Sequence, residues 1–226
     1  VGLVHGILIT KVKLQPFVVT LCGLLLYRGI TRGFTGDQSQ GFGTEYKGLR
    51  ELATGEINVF GFDLPMPCIF LLVVAALAGV FLNKTIYGRY LLALGNNEEA
   101  ARFSGINVDR MVILAYVICA LCSGLGGLLF VLDVNSAQPV DFGNFYELYA
   151  IAAAVLGGCS LRGGAGTIIG VVIGAALMQV LRNMIVLVDW IPTHIEYAII
   201  GAVILAGVVA DELLKNAVAR RQASKS

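Results

Sequence analysis

The chain has 226 residues, of which 57% are hydrophobic and only 14% charged, with 28 glycines and a mean hydropathy of +0.81. A soluble domain carries about 25% charged and about 45–50% apolar residues, so water is not the main solvent of this chain, and intrinsic disorder is excluded with it. The net charge of +1 leaves no electrostatic footprint for nucleic acid.

Crossing about 30 Å of hydrocarbon takes roughly 20 helical residues. Apolar runs suited to this appear in chain order as an incomplete one from Val1 to Thr10, then Phe17 to Phe34, Pro65 to Leu82 and Met111 to Leu132. A shorter run from Tyr146 to Ser160 follows, then Gly164 to Val188 and Thr193 to Ala210. Their continuous apolarity, without period-2 alternation, specifies helices rather than a transmembrane barrel. The expected fold is all-α, a polytopic transmembrane helical bundle of about six to seven spans or partial spans. The run from Tyr146 is too short for a plain span and ends in Gly157-Gly158, so it is expected to be broken or re-entrant. Val1 opens inside an apolar run without a basic flank or cleavage site. It reads as the interior of a longer gene product rather than as a signal peptide.

Orientation follows from the sorting of charge, because cytoplasmic loops hold the Lys and Arg excess. Lys11, Lys13, Lys84, Arg89, Arg102, Arg110, Arg162 and the tail bases Lys215, Arg220, Arg221 and Lys225 mark segments expected inside, with the C-terminus cytoplasmic. Ten of the 15 acids, among them Asp37, Glu51, Glu56, Asp63, Asp133, Glu147 and Asp189, lie in the segments between. Residues 1–226 thus read as one transmembrane domain, N-terminally truncated, with an external loop at 35–63 and a cytoplasmic loop at 84–110.

The cytoplasmic loop is expected to hold a two-turn helix. Asn97 is its N-cap, Glu98 and Glu99 stand in the first turn where the helix dipole favours anions, and Gly105 supplies the left-handed stop. Ala100 and Phe103 are three apart and share a face, with Ala101 small enough for close approach by another surface. Such a helix suits insertion into a groove of a partner; the alternative is a solvated helix that only joins two spans.

The run from Thr85 to Ile106, with Gly88-Arg89, Gly95-Asn96-Asn97, Ala100-Ala101 and Ser104-Gly105-Ile106, resembles the cytoplasmic signature of permease subunits of bacterial ABC importers for simple sugars of the ribose, xylose and galactose type. Two more stretches resemble the same family: Gln15-Pro16-Phe17 through Arg28-Gly29, and Tyr146-Glu147-Leu148 through Gly157-Gly158 to Gly166. The superfamily also includes branched-chain amino-acid permeases. The resemblance implies an ATPase-coupling role for Gly88, Arg89, Gly95, Asn96, Asn97, Glu98, Glu99, Ala100, Ala101, Phe103, Gly105 and Ile106. It further implies a second permease subunit, as homodimer or pseudo-dimer, two cytoplasmic ATPase subunits carrying ATP and Mg, a periplasmic sugar-binding protein, and a place in the bacterial inner membrane. No cofactor is expected on this chain itself.

Other signals are weighed on their physics. Gly166, Gly170 and Gly174 recur every four residues, a smooth helical face for packing, with sliding between helices as its functional corollary. The five cysteines read as small buried hydrophobes, including the Cys119 and Cys122 pair. His5 and His194 lack ligand neighbours, so no metal site is expected. Arg28, Asn135, Glu147, Gln179, Arg182 and Asn183 are polar groups costly to bury near spans, hence candidates for a translocation pathway. Snorkelling, structural pairing and, for Glu147, a helix-start carboxylate are the alternatives. No phosphate-binding loop or hydrolase motif occurs, so the chain reads as a transport subunit and not an enzyme. The functional expectation is a monosaccharide pathway driven by separate ATPases. The alternatives are a branched-chain amino-acid permease or an ATP-independent secondary transporter or channel.

Overall fold

A computed structural model describes residues 1–43, 46–59, 61–187, 198–199, 201–203, 205–207 and 209. In chain order the elements are α1 (Gly2–Thr10), α2 (Pro16–Thr35), β1 (Gln40–Gly41), α3 (Lys47–Thr54), β2 (Glu56–Val59), β3 (Phe62–Pro65) and α4 (Met66–Lys84). They continue with α5 (Ile86–Asn96), α6 (Glu98–Phe103), α7 (Val108–Val134), β4 (Ser136–Ala137), α8 (Tyr146–Leu156) and α9 (Ile168–Leu187). Within the described residues α2, α4, α7 and α9 are each long and apolar enough to cross a membrane, the polytopic helical architecture that the apolar runs specify. Half of the expected span from Thr193 to Ala210 lies outside the described residues, as do His194 and the basic tail. The 11 residues of α8 rise about 16 Å, roughly half the hydrocarbon thickness. Strands occur only as two short antiparallel pairs among the described residues, β1 with β4 and β2 with β3.

The chain divides into two compact units, residues 1–77 with 99–142, and 78–98 with 143–226. In the first unit, α2 starts on Pro16 at its first turn, where the missing N–H is no loss, and stops at Gly36 in the left-handed region. Asn107 caps α7 by accepting the Arg110 N–H at 3.2 Å. Gly2 and Gly6 lay α1 directly on α7: a Cβ at either would strike Tyr116 or Ile113 backbone. Lys11 pairs with Asp109 at 3.0 Å at one end of this unit, beside the start of α7. At the far end of α7, Gln40 faces Ala137 and Gly41 faces Ser136, and the α2 stop is held by Arg32, whose Nε and guanidinium NH2 donate to Asp37 at 2.6 and 2.9 Å. That hydrogen bond holds the Asp37 carboxyl below its ordinary value. The loop at 35–63 is thus structured, with α3 against α7 and the β2–β3 hairpin leading into α4. An apolar groove of about 420 Å³ is lined by Leu52, Phe70, Leu71, Cys122, Leu125 and Leu132.

In the second unit the core is the α8–α9 hairpin, where Ala152, Ala153 and Met178 are buried with Tyr149, Leu156 and Leu181 packed around them. Backbones approach because Gly170 and Gly174 leave room for the Gly157 and Ala153 carbonyls. Gly166 does not share this face. It precedes α9, packs against Cys159, and leaves Thr167 to cap the helix by accepting the Gly170 N–H at 3.1 Å. The helix therefore begins later than the four-residue glycine spacing suggests.

The cysteines are likewise placed differently from the sequence expectation. Cys22, Cys119 and Cys122 are exposed, Cys68 and Cys159 half-buried, and all five are free. In a membrane the outer helix faces are as apolar as the inner ones, so hydrophobicity does not separate inside from outside there. The same cause leaves Leu25, Leu77, Leu121 and Ile169 exposed.

Candidate functional site

Residues 84–110 join α4 to α7 through two helices rather than one. Thr85 is extended, and its Oγ1 accepts the Gly88 N–H at 3.1 Å and donates to the Phe81 carbonyl at 2.6 Å. It thereby ends α4 and caps α5 in one turn. Gly88 is buried against the Phe81 and Leu82 carbonyls, so the corner closes with no room for a side chain. Sequence reasoning missed α5. Its signal was the cap at Thr85 followed by Ile86, Tyr90 and Leu94 on one helical face.

The end of α5 meets a second element of its own unit. A Cβ on Gly95 would run into Gly163 and Gly164, and one on Gly164 would strike Asn96. Gly163 and Gly164 have φ of 91° and 76°, which L-residues with side chains rarely adopt. They lie in a loop closed by the Ser160 N–H to the Ala165 carbonyl at 2.9 Å and the Gly163 N–H to the Ser160 carbonyl at 3.0 Å. Gly95 and Asn96 are thus clasped, backbone to backbone, by the loop that follows α8. In the sequence Gly163 and Gly164 carry no signal of this contact, because only the facing Gly95 and Asn96 show it.

Asn97, with φ −156° and ψ 107°, turns the chain out of α5, and α6 follows. It ends in a Schellman stop: the Gly105 N–H donates to the Arg102 carbonyl and the Ile106 N–H to the Ala101 carbonyl, both at 3.1 Å, with Gly105 at φ 81°. Phe103 is 93% exposed and Ala101 only 4%. Glu98, Glu99, Ala100 and Gly105 are exposed with Phe103, and Ile106 is half-buried. Ala101 is therefore covered within the chain while Phe103 stands outward. The segment also divides between the units, α5 in one and residues 99–110 in the other. Arg89, Asn96 and Asn97 are exposed.

The six pathway candidates are spread over both units. In the first, Arg28 donates from its guanidinium to the Phe142 carbonyl at 2.9 Å. Asn135 ends α7 in the left-handed region, with its Nδ2 near the Gly43 carbonyl at 3.4 Å and its Oδ1 buried without a hydrogen bond. In the second, Glu147 is exposed in the first turn of α8, where a carboxylate complements the helix dipole. Arg182 lies 5.5 Å over the Tyr149 ring, a cation–π contact between α9 and α8. Gln179 and Asn183 are exposed on α9. Arg28 and Arg182 thus both make inter-element contacts. His5 of α1 stacks against Tyr27 of α2 with ring centres 5.7 Å apart. Tyr27 was not singled out in the sequence, and no spacing rule links it to His5.

The whole of residues 1–208 matches the family described as the branched-chain amino acid transport system / permease component. The chain belongs to this permease family. It is 38% identical over 208 residues to the ribose import permease protein of Bacillus subtilis, covering 92% of this chain and 62% of that protein. It is 37% identical over 218 residues to the ribose import permease protein of Escherichia coli K12, covering 93% and 64%. With the L-arabinose transport system permease protein of the same strain it shares 35% identity over 214 residues, covering 95% and 63%. The chain therefore spans a little under two thirds of the length of these relatives. No solved structure matches it. Family membership and four membrane-length apolar helices among the described residues make this a multi-pass membrane protein.

Proposed function

We propose that the chain is the transmembrane subunit of an ATP-driven importer and provides the path for a monosaccharide. A periplasmic binding protein delivers the sugar, a second permease subunit completes the pathway, and two cytoplasmic ATPase subunits bind and hydrolyse ATP with Mg. The chain itself holds no cofactor, lies in the bacterial inner membrane, and keeps its C-terminus in the cytoplasm. The observation that carries this reading is Phe103, 93% exposed on a short, firmly stopped helix between two membrane-length helices. A large aromatic held out beside Glu98 and Glu99 is the form of an anchor for a partner's groove. Closure of the ATPases would then press on α6 and shift the pathway between outward-open and inward-open states.

The names of the sugar-permease relatives favour a sugar over a branched-chain amino acid. A neutral solute also suits spans whose interiors are poor in charge. The test is charge reversal of Glu98 and Glu99 combined with Phe103→Ala. The expected result is loss of ATPase co-purification and at least a tenfold fall in D-ribose uptake in a folded protein. Intact association and uptake would contradict the coupling assignment, and uptake surviving ATP depletion while an ion gradient remained would replace the importer with a secondary transporter.

A further inference from the structure

His5 and Tyr27 form a polar aromatic pair in a place where hydrocarbon is expected. His5 stands six residues before Lys11 on α1, about 9 Å along the helix axis, and Gly23, which receives its ring, stands seven residues after Pro16 on α2, about 10 Å along. Both distances are measured from the same turn between the two helices, and both fall well inside a hydrocarbon layer about 30 Å thick. The imidazole enters the space that a side chain at Gly23 would occupy: a Cβ there would collide with its Nε2 and Cε1. Tyr27 lies one turn further along the same face of α2, its ring tilted 33° from the imidazole at a centre separation of 5.7 Å.

The hydrogen-bonding inventory of this pair is open. Among the described residues neither the His5 nitrogens nor the Tyr27 hydroxyl has a hydrogen-bond partner, and none of them is an enclosed, unpaired atom of the kind found at Asn135 Oδ1; both residues are half-buried. An imidazole offers one donor and one acceptor in its neutral form, and a phenol offers both at one atom. Turned toward lipid, these groups would be left unsatisfied at a depth where no water reaches them. A position facing a wet path or a hydroxyl-bearing solute satisfies them. Polar residues at membrane depth face the bundle interior or a water-filled cavity rather than lipid.

We infer that His5 and Tyr27 line the translocation pathway and contact a neutral polyhydroxylated solute through their tilted rings and open polar atoms. The chemistry of a monosaccharide matches this pair. Its C–H face stacks on an aromatic ring, and its hydroxyl rim both donates and accepts hydrogen bonds. Gly23 is the enabling residue, because its missing side chain seats the imidazole between α1 and α2. This inference rests on the proposed transport of a sugar and adds the residues that touch it.

The test uses the full chain assembled with its ATPase and binding protein, in a background with the five cysteines replaced. His5→Cys and Tyr27→Cys are expected to react with a membrane-impermeant methanethiosulfonate, as does a control thiol at the exposed Asp37, and D-ribose should slow the first two reactions at least threefold. In the assembled complex, His5→Phe and Tyr27→Phe are expected to lower D-ribose uptake at least fivefold, while His5→Gln, which keeps a donor and an acceptor, retains more than half. Absence of labelling at both positions beside a reactive control would overturn the pathway placement. Labelling without D-ribose protection, or uptake within twofold in both Phe variants, would overturn the solute contact. Failure of the unsubstituted complex to move any sugar would instead count against the functional reading, and the labelling result would still report whether the pair lines an aqueous path.

Discussion

Two short helices of this chain, α6 and α8, stop in the same way and differ in what covers them. Each ends in a Schellman motif on a left-handed glycine, Gly105 for α6 and Gly158, at φ 81°, for α8. In α8, Ala152 and Ala153 disappear against α9, which Gly170 and Gly174 bring to backbone distance. In α6, Ala101 is turned inward and Phe103 is left out. The stop is a local property that a glycine supplies anywhere. What separates the α8–α9 hairpin from the docking helix proposed for α6 is which face finds a cover within the chain.

The strongest way to break that contrast is to overfill the α8–α9 contact. Gly174→Leu places a side chain where the Ala153 carbonyl and Gly157 N–H now sit, and should destabilise the purified protein by about 2–3 kcal/mol. Thermal unfolding in detergent reads this as a large fall in Tm, whereas Phe103→Ala on the open helix should leave Tm unchanged. A middle-sized effect is expected at the clasp between α5 and the loop after α8. Gly95→Ala forces Gly163 and Gly164 away and should cost about 1–2 kcal/mol, with transport reduced more than stability because the clasp joins the proposed coupling segment to the α8–α9 hairpin. Equal losses in the two measurements would reduce the clasp to packing.

The smallest effect belongs to the exposed end of α2. Asp37 has its carboxyl held below the ordinary value by the hydrogen bond from Arg32. The stability it adds is therefore fully present above the usual aspartate range, about 4, and is lost as pH falls through the depressed folded value. Arg32→Gln should remove this acid-side slope from a plot of Tm against pH by slightly lowering the neutral plateau, with the two proteins converging at acid pH.

How much of this was legible in the sequence depends on whether the signal was local. The long spans were legible because continuous apolarity over a bilayer's thickness has one structural solution. The Gly105 stop was legible because few residues other than glycine adopt a left-handed backbone readily. By contrast, α5 was hidden inside a segment read for its charges, and the order of the loop at 35–63 rests on pairing between Gln40 and Ala137, residues nearly a hundred positions apart. Gly2 and Gly6 carry the same four-residue spacing as Gly170 and Gly174, but only the neighbour across the contact shows that the spacing is used. The burial of Ala101 and the exposure of Cys119 and Cys122 depend on which helix lies opposite, which composition does not record.

The central claim, that α6 presents Phe103 to a cytoplasmic ATPase, is tested most directly by proximity in the assembled transporter. Phe103→Cys in a cysteine-replaced background, treated with a short bifunctional thiol reagent, should give one cross-linked species joining the chain to the ATPase subunit, and nucleotide should change its yield. An intact complex in which position 103 forms no link to the ATPase, while a thiol elsewhere on the chain does, would contradict the account.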